Sequence, residues 1–439
     1  MNCRFGMHGT VVPSNCRGEY YVEQAAAEEG GGVHVRAPSS ALGPSSNARE
    51  WSPQAAQFAS LSLEEIAAQA GLRTIHVVAW RDYTDPEAGG SELHAHRILS
   101  AWSRAGIDIA MTTSSVQDAP PFMARNGYQI TRRVGRYSIF PRTIVSGLLG
   151  HLGRVDGLVE IWNGMPFLSP VWARCPRVVF LHHVHAEMWK MVLPRGLAEV
   201  GYAFEHRIAP PFYRNSRIIT LSSSSRDEIV EQLRLPESNI SICPPGVEPD
   251  FTPGSHRSPT PLIVAVGRLV PVKRFDLMIE AAVRLKPSHP GLSLVIAGEG
   301  YERPSLEAQI RRAGAEEWIS LPGFVDDKEL LELYRSSWLV ASSSLREGWG
   351  MTVTEAGACG TPAVASRISG HMDAVRDGET GLLFDDADGM VTALDSVLSD
   401  GDLRARLGAA ALTYASGFSW EASARQTLAE LAGEKVRRG

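Results

Sequence analysis

The chain has 439 residues, with 49 acidic against 43 basic side chains and a formal net charge of −6. That length accommodates two or three domains with substantial cores, and nothing in the overall charge points to nucleic acid. Five cysteines without a C-x-x-C pair fit a reducing cytoplasm, and no apolar run reaches the ~18 residues that cross a bilayer, which leaves a cytoplasmic protein, peripheral to a membrane at most.

Residues 1–70 differ from the rest. EQAAAEEGGG and RAPSSALGPSSNA show no sustained periodicity before SLEEIAAQAGL. Such Gly, Ser, Pro and Ala content cannot bury enough apolar surface to offset chain entropy, so this extension is expected to be disordered, with one short helix at Ser62 to Ala68. The start also lacks the basic-then-apolar layout of a signal peptide.

A first folded domain is expected over residues 71–250. It opens with the β-branched run Thr74 to Ala79, followed by the turn Gly89-Gly90 and a helix whose apolar face is Ala95, Ile98, Leu99 and Trp102. Gly106 ends that helix. Strand, glycine turn and helix make half of a dinucleotide-type unit, although G-x-G-x-x-G is absent. Taken alone, the glycine pair is equally a tight turn or a place where backbone approaches a ligand. His94 and His96 share the helix, and His94 is expected in solvent.

Further along, Arg132, Arg133, Arg136 and Arg142 alternate with aromatics and lead into the apolar run Ile144 to Leu149. This pattern suits either a solvated face beside a packed helix or a surface that meets an anionic membrane or acceptor. Strands at Asp156 to Ile161, Arg177 to His182, Arg217 to Leu221 and Ile240 to Cys243 alternate with helical stretches. That alternation argues for a parallel sheet with crossover helices. His182, His183 and His185 near Glu187 are too few to hold zinc, since no other Cys or His cluster has metal spacing. On a strand, His183 and His185 would share one face and His182 the other.

Pro244-Pro245-Gly246 and TPGSHRSPTP mark a linker. A second βα series, residues 251–418, has strands expected at 262–266, 292–297, 317–321, 338–342 and 362–365. Phe275, Met278, Ile279 and Ala282 form a helix stripe, and Asp326 with Glu329 has the capping-box spacing. Two doubly wound α/β domains follow from this pattern, with the site in the cleft between them.

The most informative stretch is ASSSLREGWGMTVTEAGACGTPAVA, Ala341 to Ala365. A strand ends near Ser344, a loop with glycines at 348 and 350 follows, and a helix begins around Met351. Glu347 on the loop and Glu355 one turn into the helix place two acceptors beside a helix N-terminus, whose free N–H groups favour anionic or hydroxyl-rich ligands. A sugar joined to a phosphate has that chemistry.

Together with VGRLVPVKRFDLMIEA, GFVDDKELLELY and DGETGLLF, this stretch resembles the C-terminal half of the family 4 retaining glycosyltransferases, which have the GT-B fold and use nucleotide sugars. Four separated motifs fall in the family's order over about the last two-fifths of the chain. The resemblance implies that Arg268 and Lys273 stabilise the departing diphosphate, that Glu347 accepts from sugar hydroxyls, and that Glu355 accepts from both ribose hydroxyls. It also implies donor contacts from the backbone of Gly348, Trp349, Gly350 and Met351, a base-side loop at Gly323-Phe324-Val325, and diphosphate contacts from Gly89 and Gly90. PRVVFLH is similar to the family strand that ends in a cleft histidine. His182 is therefore the candidate, with His183 the alternative if the register slips by one. Residues 419–439 look like the family's closing helix, which returns to the first domain.

The resemblance further implies retention by front-face attack with no metal and no cofactor beyond the nucleotide diphosphate sugar, a GDP- or UDP-sugar, as co-substrate. The acceptor stays open between a small molecule or natural-product intermediate, a polysaccharide end and a lipid at a membrane surface. A nucleotide-sugar epimerase, a sugar phosphorylase or a non-catalytic sensor would use the same fold, because fold alone does not fix chemistry.

Overall fold

The computed structural model describes residues 50–438. Apolar, β-branched runs between turn residues become strands, and their order in two sheets decides where a ligand can sit. In the N-terminal lobe these are β1 (Thr74–Val78), β2 (Asp108–Thr113), β3 (Phe122–Arg125), β4 (Tyr128–Arg132), β5 (Gly157–Ile161), β6 (Arg177–Phe180), β7 (Arg217–Thr220) and β8 (Ile240–Ile242). They are ordered β3-β4-β2-β1-β5-β6-β7-β8. Every pairing is parallel except β3 with β4, an edge hairpin closed by Asn126 and Gly127, both at positive φ.

The helices of this lobe are α1 (Pro53–Ala56), α2 (Leu63–Ala70), α3 (Gly90–Arg104), α4 (Ile139–Leu148), α5 (Ser169–Trp172), α6 (Met188–Val192), α7 (Arg195–Ala203), α8 (Pro210–Tyr213) and α9 (Ser223–Leu233). A π-helical turn, Phe204–Ile208, joins α7 to α8. The expected apolar face of α3 is buried as a unit, with Ala95, Ile98, Leu99 and Trp102 in the lobe's core.

The C-terminal lobe contains β9 (Leu262–Val266), β10 (Ser293–Ala297), β11 (Ile319–Gly323), β12 (Leu339–Ser342), β13 (Ala363–Ser366) and β14 (Gly381–Phe384), a parallel sheet ordered β11-β10-β9-β12-β13-β14. Around it lie α10 (Phe275–Leu285), α11 (Arg303–Arg312), α12 (Asp327–Ser336), α13 (Met351–Ala358), α14 (His371–Ala374), α15 (Ala387–Ser399) and α16 (Gly401–Ala415). Asp326 caps α12 with Glu329 in the reciprocal position, as its spacing predicts.

The last helix, α17 (Trp420–Arg438), leaves this lobe and packs on the first. The chain crosses at Val247, which pairs with Ser419. Gly246 lies so close to the start of α17 that a Cβ there would stand 2.1 Å from the Trp420 nitrogen.

The expectation of disorder as far as residue 70 needs correction. Residues 50–70 carry α1 and α2, and Phe58, Ile66 and Leu72 are buried against Leu428 and Leu431 of α17. Ser62 caps α2 in a box with Glu65. The apolar face of α2 is too small to be held by local forces, and the surface that covers it comes from the far end of the chain. The expected disorder of residues 1–49 lies outside the described residues. Among the described residues no helix is long and apolar enough to cross a membrane.

Candidate active site

In an open parallel sheet, ligands sit at the carboxyl ends of strands where the winding direction reverses. The N-terminal sheet reverses between β1 and β5, and the C-terminal sheet between β9 and β12. The loop after β1 carries Gly89 and Gly90, the loop after β9 carries Arg268 and Lys273, and the loop after β12 carries Glu347 to Gly350. The predicted Gly89, Gly90, Arg268, Lys273, Glu347, Gly348 and Gly350 therefore fall at these two switch points, whereas Glu355 lies within α13, Gly323 and Phe324 at the end of β11, and His182 after β6.

The loops meet. An added Cβ on Gly89 would lie 3.4 Å from Arg268 Nε, and one on Gly90 would lie 2.6 Å from Met351 Cε. Gly348 faces the carbonyl of His182, where a Cβ would come within 2.8 Å. Gly350 has φ +122 and its Cβ would press on the His371 ring, so this N-cap of α13 admits glycine.

Lys273 Nζ donates to Glu347 Oε1 at 2.5 Å, and Ser344 Oγ donates to the same oxygen at 2.8 Å. Burial alone would raise the Glu347 carboxyl, but Lys273, His371 and these hydrogen bonds hold it down to about 2. Arg268 is half-buried and has no carboxylate within ion-pair distance among the described residues. Burial and the neighbouring Arg81 guanidinium lower its pKa from the usual arginine value, with Glu92, Glu87 and Glu347 opposing. An arginine held without a partner beside two backbone glycines is suited to a phosphate, which it can bind through two oxygens.

Glu355 has a different setting. Tyr334 Oη donates to its Oε2 at 2.9 Å, and burial together with Glu248 and Asp327 raises it to about 7, against the Tyr334 bond. Tyr334 and Asp327 lie on α12, and Glu248 lies at the interlobe crossing, where Arg97 of α3 pairs with it at 2.6 Å. Trp349 turns its ring away from the loop and packs edge-on against Phe418. The ring belongs to a buried cluster with Phe418 and Val353, and its Nε1 has no hydrogen-bond partner among the described residues. Phe324 is exposed on the turn after β11.

The histidines depart from expectation. β6 ends at Phe180, so His182 to His185 form a loop, although the His183 and His185 rings still stack with centroids 5.2 Å apart. Both ring nitrogens of His182 are engaged, Nε2 with His94 Nδ1 at 3.2 Å and Nδ1 with Ser91 Oγ at 3.1 Å. His94, expected in solvent, is fully buried against Phe180, His182 and Trp420, because α3 is covered by the returning α17. Burial lowers His94 to about 3, so it is neutral. By contrast His183 Nε2 has no hydrogen-bond partner among the described residues. Burial lowers His183 to about 4, with Glu347, Arg346 and Lys273 the nearest charges acting on it. His183 thus keeps an unpartnered ring nitrogen where both nitrogens of His182 are engaged.

Of the two glycines, Gly89 already donates its N–H to Glu92 Oε2 at 2.8 Å, which leaves the α3 N-terminal amides from Gly90 onward. Arg132 and Arg136 of the basic segment are likewise engaged, with Asp82 and with Asp85 and Glu87. Arg81, Ser91 and His371 belong to this site outside any quoted motif, and Ser344 and Tyr334 belong to it from within quoted stretches that assigned them no role. Their positions follow from tertiary approach, apart from Ser344, three residues before Glu347. Among the described residues, no three His, Cys, Asp or Glu side chains gather in a way that could hold a metal ion.

Residues 88–251 match the family model described as Glycosyltransferase Family 4, and residues 248–413 match that of Glycosyl transferases group 1. A D-inositol 3-phosphate glycosyltransferase from Stackebrandtia nassauensis is 32% identical over 246 residues, 50% of this chain and 54% of that protein. The chain thus spans about half the length of the first curated relatives it matches. One from Paenarthrobacter aurescens is 26% identical over 78% of this chain and 92% of its own length. Among solved structures, sucrose-phosphate synthase from Thermosynechococcus elongatus superposes with a TM-score of 0.68 at 19% identity, over 81% of this chain and 97% of that one. That similarity is one of fold.

Proposed function

Because this chain belongs to glycosyltransferase family 4 and has the GT-B fold, we propose that it transfers a sugar, with retention, from a nucleoside diphosphate sugar to an acceptor held against the N-terminal lobe. The observation that carries this reading is the convergence of Arg268, Lys273 and Glu347 with Gly89 and Gly90 between the two switch points. Breaking the anomeric C–O bond puts negative charge on the leaving diphosphate. Fixed positive groups at that place lower the barrier without reorganising.

Arg268 and the first amides of α3 and α13 take the diphosphate. Lys273 shifts between Glu347 and a phosphate oxygen. Glu347, ionised throughout the neutral range, accepts from hydroxyls of the transferred sugar, and Glu355 accepts from the ribose. The acceptor oxygen bonds to the anomeric carbon on the face that the diphosphate leaves, and its proton passes to the departing phosphate oxygen. No protein base is needed in this scheme, and the two cations do the work that a divalent metal does elsewhere. The acceptor is a small molecule, with the D-inositol 3-phosphate in the relatives' name as the first to try.

Removing one such fixed donor typically costs ~10²–10³ in rate, so Arg268→Ala and Lys273→Ala should each lower kcat/KM by about that factor. Near-normal turnover in both would refute the assignment. Thermal-shift measurements with UDP, GDP and ADP identify the base, since a bound nucleotide stabilises the fold by mass action. Turnover is expected to persist in EDTA, and the anomeric configuration of the product, read by NMR, tests retention.

A further inference from the structure

The outer surface of the N-terminal lobe between α4 and α8 is unusual for a mildly acidic chain. Val145 and Leu148 on α4 with Leu149 at its C-cap, Leu197 and Val200 on α7, and Ile208 on the π-helical turn are all more than half exposed. They are not scattered. The α4 residues lie at i, i+3 and i+4, and the α7 pair lies one turn apart, so each helix turns an apolar stripe outward as well as inward. Inward, α4 buries Ile139, Phe140 and Thr143, and α7 buries Ala198 and Gly201. The helices adjoin in series, since α4 packs on α5, α5 on α8, and the π-helical turn on both α7 and α8.

Charge on this surface is one-sided. On these helices and the turns that end them, Arg142, Lys190, Arg195, Arg207 and Arg214 are exposed against Glu187 and Glu199, whereas the whole chain is at −6. Among the described residues none of those five forms an ion pair, and one of the two glutamates, Glu187, is neutralised by Arg346. Arg142 precedes the α4 stripe by one turn and Arg195 begins α7. Apolar stripes flanked by unpaired arginines match the two halves of a lipid interface, acyl chains below and anionic headgroups above. A protein partner would need complementary shape, which convex helices of four to ten residues offer poorly.

We propose that this face, from α4 through α8, docks on a bilayer carrying anionic phospholipid headgroups. It also adjoins the cleft. Glu205 of the π-helical turn accepts from the backbone N–H of His185 at 2.9 Å and from Trp189 Nε1 at 2.8 Å, and Gly201 of α7 lies against the Trp189 ring. The docking face is thereby tied to the loop that carries His183. Docking itself requires neither donor nor transfer, so it stands or falls separately from the proposed reaction.

The test is sedimentation of the full chain with phosphatidylcholine vesicles, with and without phosphatidylglycerol, over a range of salt. Binding is expected only with phosphatidylglycerol, and it should weaken as salt rises. Each basic residue near the surface contributes about 1 kcal/mol, so Arg142→Glu with Arg195→Glu should weaken binding at least about tenfold, as should Leu148→Glu with Leu197→Glu. Both variants should keep the nucleoside diphosphate thermal shift, which reports an intact fold. If a variant loses that shift, the lipid and salt dependence of the unaltered chain decides. No binding to phosphatidylglycerol vesicles, equal binding to both vesicles, or undiminished binding by both folded variants overturns the proposal. So does self-association of the unaltered chain that these substitutions abolish, which would assign the face to a second copy.

Discussion

Two glutamates eight positions apart show how environment divides one residue type into two roles. Glu347 is held near 2 by Lys273, while Glu355 is raised to about 7 by burial beside Glu248 and Asp327. The signs differ accordingly. Glu347, depressed below the ordinary 4.5, contributes stability that is present above 4.5 and lost as pH falls toward 2. Glu355, raised, binds a proton more tightly in the folded state, so its contribution declines as pH climbs from 4.5 to about 7. Ribose hydroxyls need the ionised form as acceptor. Affinity for a nucleoside diphosphate, measured by calorimetry, should therefore rise as pH passes 7, and Glu355→Gln should remove that rise beyond the nucleotide's own titration. An identical profile in the variant would take Glu355 off the ribose. The E-x7-E spacing was legible in the sequence, but this split was not, because Tyr334 and Glu248 reach Glu355 only through folding. The same holds for His94, whose cover comes from Trp420 over three hundred positions away.

Among elements, α9 and α14 form a contact that joins the lobes. Asp373 of α14 accepts from the Ser223 and Ser224 N–H groups at 3.0 and 3.1 Å and from both hydroxyls, so a carboxylate of one lobe caps a helix N-terminus of the other. Gly370, one turn earlier, donates to Ser224 Oγ at 2.7 Å, and its backbone lies against the Glu347 carbonyl. The hydroxyls of Ser222 and Ser225 donate to the Gly348 carbonyl at 3.3 Å. Closing the lobes and placing the Glu347 loop are thus one set of contacts. Asp373→Ala should lower kcat/KM by about tenfold, equivalent to ~1.4 kcal/mol, and increase the radius of gyration in small-angle scattering. Unchanged kinetics and size would separate this contact from closure. Elements with strong local patterns were readable: the α10 stripe, the Asp326 cap and five of the six strands of the second lobe, β14 having gone unread. The β3–β4 hairpin went unread although Asn126-Gly127 is a strong turn signal, because the flanking strands are short and Phe122 to Arg125 lies at an edge with little burial.

At the scale of the molecule, each lobe has its own core, but only the C-terminal one is closed by its own segment of chain. The N-terminal core takes in Ala424, Leu428, Ala429, Leu431 and Ala432 of α17, and Trp102 Nε1 donates to the Ala424 carbonyl at 2.8 Å. Gln426 adds bonds to the Glu50 and Ile242 carbonyls at 3.0 and 2.9 Å. Burying the two leucines alone contributes roughly 3–6 kcal/mol, against a typical domain stability of about 5–15 kcal/mol. The family motifs of the second lobe all lie before residue 418, and its core contains no residue of α17. A chain ended after Gly417 should therefore keep a folded C-terminal lobe and lose the first. Calorimetry should resolve a lowered transition for the N-terminal lobe and an almost unmoved one for its neighbour. Proteolysis should cut the first lobe, including α1 and α2, and spare a fragment beginning near the 250s. A single transition at the original temperature would mean that α17 only rests on the surface, and would also remove the reason why α2 and His94 are buried.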